Sequence, residues 1–166
     1  MSLPSLRILR LITPNIIVDR DAVLQLMRWR IENQRYYATQ PKITEDSFQK
    51  WLIESVFRKH RLLFWVLDKK GKRIGHTGLN RFEKGSCEID NVLRGVSGDK
   101  GRMGEALQEL IRWARKDAPI QNLYLRVLSW NKHAIEFYKK NGFVSLRLVP
   151  VKKGSKLRFL KMKYEA

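Results

Sequence analysis

Glycines are concentrated in one short segment between a predicted strand and a predicted helix. Residues 95–104 read GVSGDKGRMG, with a glycine at every third position. Backbone N–H groups in such a turn can approach a phosphate closely, and the helix N-terminus that follows adds a favourable potential for an anion. The segment therefore indicates a phosphate site. Glycines also simply end strands, so a plain structural turn remains the alternative.

Two carboxylates precede this segment on a predicted strand. Glu88 and Asp90 are two residues apart, so the period of a strand places both side chains on one face. A carboxylate beside a substrate can accept a proton as a general base. Either residue could instead be a rim carboxylate that binds a basic neighbour, and the sequence leaves both interpretations open.

The elements that must position these residues follow a mixed α/β pattern: helices first, then a meander of strands, then strand–helix–strand. The predicted strands are 7–13, 61–67, 74–82, 87–93, 123–127, 143–149 and 157–164. The predicted helices are 21–32, a helix capped by Thr44 that reaches Phe57, 104–116, and a helix capped by Asn131 that stops at Asn141. No linker composition divides the chain, so we predict a single domain over residues 1–166.

The most specific pattern is the segment 123–143, LYLRVLSWNKHAIEFYKKNGF. It closely resembles the C-terminal motif of the GNAT superfamily of N-acetyltransferases, in which a strand L-x-L-x-V-x-x-x-N precedes a helix A-I-x-F-Y-x-K-x-G-F. Every one of those positions matches. Residues 100–107 resemble the pyrophosphate loop of the same family, although Asp99 and Arg102 depart from its R/Q-x-x-G-x-G/A pattern.

The resemblance implies a GNAT fold: a central, mostly antiparallel sheet that is split at the coenzyme site and flanked by about four helices. It also implies acetyl-CoA as cosubstrate, direct transfer of the acetyl group to an amine, and no metal. Tyr138 occupies the position of the family tyrosine that protonates the departing thiolate. Glu88 or Asp90 would act as the base, and Val92 would donate its backbone N–H to the oxyanion. The coenzyme-binding residues implied are Val92, Lys100, Gly101, Arg102, Met103, Gly104 and Asn131.

The charge of the chain is its most unusual bulk property. Thirty-four Lys and Arg against 16 Asp and Glu give a net charge of +18, which favours acidic partners such as nucleic acid, phosphorylated cofactors or nucleotide-linked substrates. A solvated basic surface explains the same charge. No apolar run approaches the roughly 20 residues of a membrane span, and no secretory signal is recognisable, so we predict a cytoplasmic protein.

The acceptor predicted from the resemblance is a small, anionic amine, namely a nucleotide-linked amino sugar. Residues 28–30 with Trp51, and residues 88–95, look similar to acetyltransferases of bacterial surface sugars. One alternative is N-terminal acetylation of a ribosomal or other protein. A basic nucleic-acid-binding module is a third, and the complete motif at 131–143 argues against it. A homodimer is left open.

Several other residues could be functional or could simply pack. Cys87 is predicted to be a buried apolar residue and not a nucleophile. His76 could face an acceptor pocket, although a core histidine with satisfied hydrogen bonds is the simpler interpretation. Packing is also the simpler interpretation for four aromatic residues near the N-terminus, which could otherwise line a substrate pocket: Trp29, Tyr36, Tyr37 and Trp51.

Overall fold

A computed structural model describes residues 6–57, 61–116, 118 and 120–165. The strands are β1 (Leu9–Leu11), β2 (Leu62–Leu67), β3 (Arg73–Glu83), β4 (Ser86–Arg94), β5 (Asn122–Leu128), β6 (Phe143–Pro150) and β7 (Arg158–Tyr164). The α-helices in the described residues are α1 (Arg20–Glu32), α2 (Glu45–Trp51), α3 (Arg102–Lys116) and α4 (Lys132–Lys140). Short 3₁₀ segments lie at Pro14–Val18 and Gln34–Tyr36, and α2 continues as a π-helical turn, Leu52–Phe57. No helix in these ranges is long and apolar enough to cross a membrane.

The strands form one seven-stranded sheet in the order β1-β2-β3-β4-β5-β7-β6. Every pair is antiparallel except β4 and β5, which are parallel and joined by the crossover helix α3. The β4–β5 ladder runs only from Ser86↔Asn122 to Ile89↔Leu125, whereas β5 remains paired with β7 as far as Leu128. The predicted mixed, mostly antiparallel and split sheet is therefore confirmed.

Two apolar cores hold the helices against opposite faces of the sheet. One core joins α3 and α4 to the central strands, and α3 contributes a continuous buried stripe of Ala106, Leu107, Leu110, Ile111 and Ala114. The other core packs α1 and α2 over β2. Trp29 of α1 lies against the end of β4 so closely that a Cβ at Gly95 would be 2.0 Å from its ring. Glycine is therefore required at that contact.

Two predicted boundaries are wrong for identifiable reasons. The first strand is shorter than 7–13: before it, the backbone N–H groups of Arg7 and Ile8 donate to the Glu109 carboxylate of α3 at 2.8 and 2.9 Å, and after it a 3₁₀ segment begins at Pro14. Helix α3 begins at Arg102 and not at Gly104, so Arg102, Met103 and Gly104 form its first turn and are not part of the loop before it. The Arg102 side chain supports this early start, since its guanidinium donates to the carbonyl of Leu67 at 2.8 Å.

Candidate active site

A cleft of about 630 Å³ opens where β4 and β5 diverge. It is bordered by β4, by the end of β5, by the start of α4, and by the segment that joins α1 to α2. Five of the ten predicted catalytic and coenzyme-binding residues line it: Glu88, Asp90, Val92, Asn131 and Tyr138. The others, residues 100–104, lie outside its lining, in the connection to α3 and the first turn of that helix.

Strand β4 carries a β-bulge in the wall of this cleft. Gly78 pairs with Asp90 and His76 pairs with Leu93, so Asn91 and Val92 together oppose the single residue Thr77. Asn91 has φ = 50°, in the left-handed region that asparagine tolerates better than most residues. The bulge removes Asn91 and Val92 from the regular β3–β4 register. A single asparagine in a strand is a weak signal, so the bulge is not predictable from the sequence.

The negative charge of Glu88 is compensated by ion pairs with two arginines. Its carboxylate oxygens lie 2.8 Å from Arg126 Nε and 3.5 Å from Arg81 Nε, and its side chain is only 14% exposed. Both oxygens are therefore engaged in ion pairs. This geometry matches the interpretation of Glu88 as a carboxylate that binds basic neighbours.

Asp90 lies in a different environment. Its Oδ2 is 3.4 Å from Arg61 Nε, while its buried Oδ1 has no hydrogen-bond partner among the described residues. Burial raises the pKa of Asp90 to about 6, against the opposing effect of Arg61. A Cβ at Gly78 would lie 2.9 Å from Oδ1, so the glycine leaves room for the carboxylate. Asp90 thus has the properties of a base that titrates just below neutral pH.

Tyr138 projects from α4 towards the cleft. Its ring packs edge-on against Phe137 and Phe143, with centroid distances of 5.4 and 5.9 Å, and the residue is 9% exposed. Burial, together with the nearby Tyr37 and Asp90, raises the pKa of Tyr138 above its ordinary value of 10. The phenol therefore keeps its proton at neutral pH and is available as a donor.

Asn131 caps α4 as predicted. Its side-chain oxygen accepts a hydrogen bond from the Ala134 N–H at 3.2 Å. The preceding residue, Trp130, stacks on Tyr36 with a centroid distance of 5.9 Å. This contact joins the turn before α4 to the segment after α1 at the border of the cleft.

The connection between β4 and α3 has the backbone conformation of a glycine-rich turn. Gly98, Asp99 and Gly101 all have positive φ, and Lys100 between them is exposed. Arg102 is different, because its guanidinium is bonded to the Leu67 carbonyl and lies 2.8 Å from Glu105. A second cavity, of about 680 Å³, lies beside this connection and is bordered by three lysines of the β2–β3 turn: Lys69, Lys70 and Lys72.

The N-terminal side of the cleft is basic and aromatic. Tyr36, Tyr37 and Trp51 border the cleft, whereas Trp29 is a core residue that is 3% exposed. The packing interpretation is therefore right for Trp29 and incomplete for the other three. The cleft as a whole is lined by five arginines against two carboxylates, an excess of three positive charges: Arg30, Arg61, Arg81, Arg94 and Arg126 against Glu88 and Asp90. None of these arginines was predicted as a site residue.

Two residues with reactive side chains are buried, as expected. Cys87 is 2% exposed, and burial together with the nearby Asp90 and Glu88 raises the pKa of its thiol to about 12. Cys87 is therefore a thiol and not a thiolate at neutral pH. His76 is 5% exposed, and its Nδ1 lies 2.6 Å from the carbonyl oxygen of Asn91. In the described ranges no three His, Cys, Asp or Glu side chains are grouped as a metal site.

Comparison with known proteins gives one family and one fold. The family described as "Acetyltransferase (GNAT) domain" matches residues 7–144. Among solved structures, a spermidine N-acetyltransferase from Vibrio cholerae in complex with CoA and spermine superposes with a TM-score of 0.74 at 16% identity, over 93% of this chain and 92% of that one. A ribosomal-protein-alanine N-acetyltransferase from Brucella melitensis gives 0.69 at 18% identity, over 95% and 99% of the two chains. Among curated proteins, the sequence comparison finds no match.

Proposed function

Because the chain belongs to the GNAT acetyltransferase family, we propose that it transfers the acetyl group of acetyl-CoA directly to the primary amine of an anionic acceptor, a nucleotide-linked amino sugar. The observation that carries this proposal is the cleft at the split of the sheet. Asp90, Val92 and Tyr138 border one cavity there, together with an excess of arginines. A base, an oxyanion donor and an acid are the three groups that acyl transfer to an amine requires.

We assign a role to each of these residues on the basis of its environment. Asp90 accepts the proton of the attacking amine, directly or through water, because its raised pKa suits a base at neutral pH. The Val92 N–H stabilises the negative charge that develops on the thioester oxygen as the C–N bond forms. Tyr138 donates its proton to the sulfur as the C–S bond breaks. Glu88 holds Arg81 and Arg126 in the wall of the cleft.

The residues before α3 fit the phosphates of coenzyme A. Free N–H groups in the first turn of a helix bind anions, and the positive φ of Gly98 and Gly101 supports a close backbone approach. Lys100 adds an exposed charge, and the lysines of the β2–β3 turn border the same connection. The V. cholerae relative was solved with CoA, which supports the same cosubstrate here.

The charge of the cleft supports an anionic acceptor. The five arginines of the cleft outnumber its two carboxylates, so its net positive charge attracts a diphosphate and repels a polyamine. The V. cholerae relative binds spermine, so its similarity in fold does not extend to the charge expected of the acceptor here. Acceptor choice resides in the site and not in the fold.

We expect acetyl transfer to a nucleotide-linked amino sugar to have a kcat/KM about a hundred-fold above transfer to spermidine, since like charges facing each other cost several kcal/mol. The measurement is release of the CoA thiol, compared across four acceptors: the nucleotide-linked sugar, the same amino sugar without the nucleotide, spermidine, and a peptide with a free N-terminus. Higher activity with spermidine would contradict the anionic acceptor. Activity with the peptide alone would favour N-terminal acetylation.

The coenzyme loop can be tested by charge reversal. Lys100→Glu should raise the acetyl-CoA Kd by about tenfold, because a carboxylate beside phosphates is repulsive. Lys153→Glu is the matched control, since Lys153 is an exposed lysine in the β6–β7 turn and its replacement changes the net charge equally. The Kd values are compared by calorimetry at one salt concentration. Equal Kd values for the two variants would show that Lys100 does not face the phosphates.

A further inference from the structure

His76 makes one defined hydrogen bond, and it is to the bulge of β4. The imidazole Nδ1 lies 2.6 Å from the backbone oxygen of Asn91. A carbonyl oxygen can only accept, so Nδ1 carries the proton and donates it. Burial, with a smaller contribution from the nearby Arg30, lowers the pKa of His76 to about 4 against the opposing effect of the hydrogen bond to Asn91, so the ring is neutral. His76 therefore has a fixed tautomer and a fixed partner.

The oxygen that His76 holds belongs to the same peptide group as the Val92 N–H. A trans peptide is planar, and its C=O and N–H point in opposite directions. The hydrogen bond to the Asn91 oxygen therefore sets the direction of the Val92 N–H. Regular strand pairing does not do this, because Asn91 and Val92 have no register partner on β3 or β5.

We propose that His76 is a positioning residue for the oxyanion donor: it holds the 91–92 peptide so that the Val92 N–H points away from the imidazole and towards the reacting thioester oxygen. This inference rests on the proposed function, in which the Val92 N–H is that donor. Donation to the Asn91 oxygen also polarises the peptide and strengthens its N–H as a donor, since linked hydrogen bonds reinforce each other.

The location of His76 fits this role. The ring lies on the α1 side of the sheet, 6.4 Å from the ring of Trp29, and borders a small cavity together with Asn91, Leu26 and Trp51. An apolar side chain would fill this space equally well, but it would leave the Asn91 oxygen without its partner. The Asn91 backbone has a positive φ, and the bond from His76 stabilises that conformation.

Two substitutions separate this bond from packing. In His76→Asn the side-chain amide nitrogen takes the position of Nδ1, whereas in His76→Gln it takes the position of Nε2. We expect His76→Gln to lower kcat by about ten- to a hundred-fold, below the full loss of an oxyanion donor. The acetyl-CoA Kd should change little, and His76→Asn should recover most of the lost kcat. A His76→Gln enzyme with wild-type kcat, or a His76→Asn enzyme as impaired as His76→Gln, would overturn the inference.

Two spectroscopic measurements test the inference further, and the first needs only the wild type, so it remains informative even if a variant fails to fold. The ¹⁵N shifts of the His76 ring should show a protonated Nδ1 and an unprotonated Nε2; the opposite tautomer would overturn the inference. The infrared carbonyl stretch of ¹³C-labelled acetyl-CoA should fall on binding to the wild type and to His76→Asn, and fall less on binding to His76→Gln. A wild-type protein that transfers no acetyl group would overturn the proposed function itself, whereas an active wild type with an unaffected His76→Gln enzyme overturns only the role of His76.

Discussion

Tyr138→Phe is expected to lower kcat by about ten- to a thousand-fold, with little change in the acetyl-CoA Kd. The substitution removes the phenolic proton that we propose is donated to the departing sulfur, and general acids contribute about 10² to 10⁴ in rate, part of which water can replace. The ring remains, so its edge-on contacts with Phe137 and Phe143 should survive. Single-turnover kinetics measure this change without interference from product release.

Tyr164→Phe is the matched control for this experiment. Tyr164 also packs edge-on against Phe143, at a centroid distance of 5.4 Å, but it is not among the residues that line the cleft. Loss of its hydroxyl should leave the single-turnover rate near that of the wild type. A folded Tyr138→Phe enzyme with a wild-type single-turnover rate would rule out the acid role of Tyr138.

Asp90→Asn should lower kcat/KM at neutral pH by about 10² to 10⁴-fold, because the amide cannot accept the amine proton. Asn has nearly the same size and shape as Asp, so the wall of the cleft should persist, although the ion pair with Arg61, 3.4 Å away, is lost. In the wild type, kcat/KM should fall about tenfold per pH unit below pH 6, where Asp90 becomes protonated. The break near pH 6 should be absent from the pH profile of Asp90→Asn, whose activity should instead follow the fraction of the acceptor amine that is unprotonated.

Glu88→Gln distinguishes the two carboxylates. Both oxygens of Glu88 are paired with arginines, so its replacement should cost less activity than Asp90→Asn and should retain this break in the pH profile. A break that disappears in Glu88→Gln and persists in Asp90→Asn would assign the base to Glu88 instead.

The parts of the site that local interactions determine are predictable from the sequence. Asn131 caps α4 through a hydrogen bond three residues along the chain, and the pattern around it predicts both the helix and the position of Tyr138. The capping box at Thr44 and Ser47 is equally local and starts α2 as predicted. Such contacts depend on spacing alone, so a sequence pattern records them.

The features that the sequence did not predict depend on partners distant in the chain. The bulge at Asn91 accepts its hydrogen bond from His76 of the neighbouring strand, and the first residue of α3, Arg102, donates its guanidinium to Leu67 of β2. Arg126 alternates with the apolar residues of β5, which places it on the opposite face, but its partner Glu88 is 38 positions away. Which of the 34 basic residues face the cleft therefore depends on the tertiary arrangement of the strands and helices.

Because Asp90 is buried, the protonation state that favours the stability of the protein differs from the one proposed to favour its activity. An unfolded chain titrates this carboxyl near 3.8 and the folded protein near 6, so between these pH values the folded state holds more protons than the unfolded state. The contribution of Asp90 to the free energy of unfolding therefore falls as pH rises through this window, by about 3 kcal/mol in all. The ionised form, which is proposed to accept the proton, is the form that the fold accommodates least well. Selection for thermal stability alone would thus favour replacing this carboxylate.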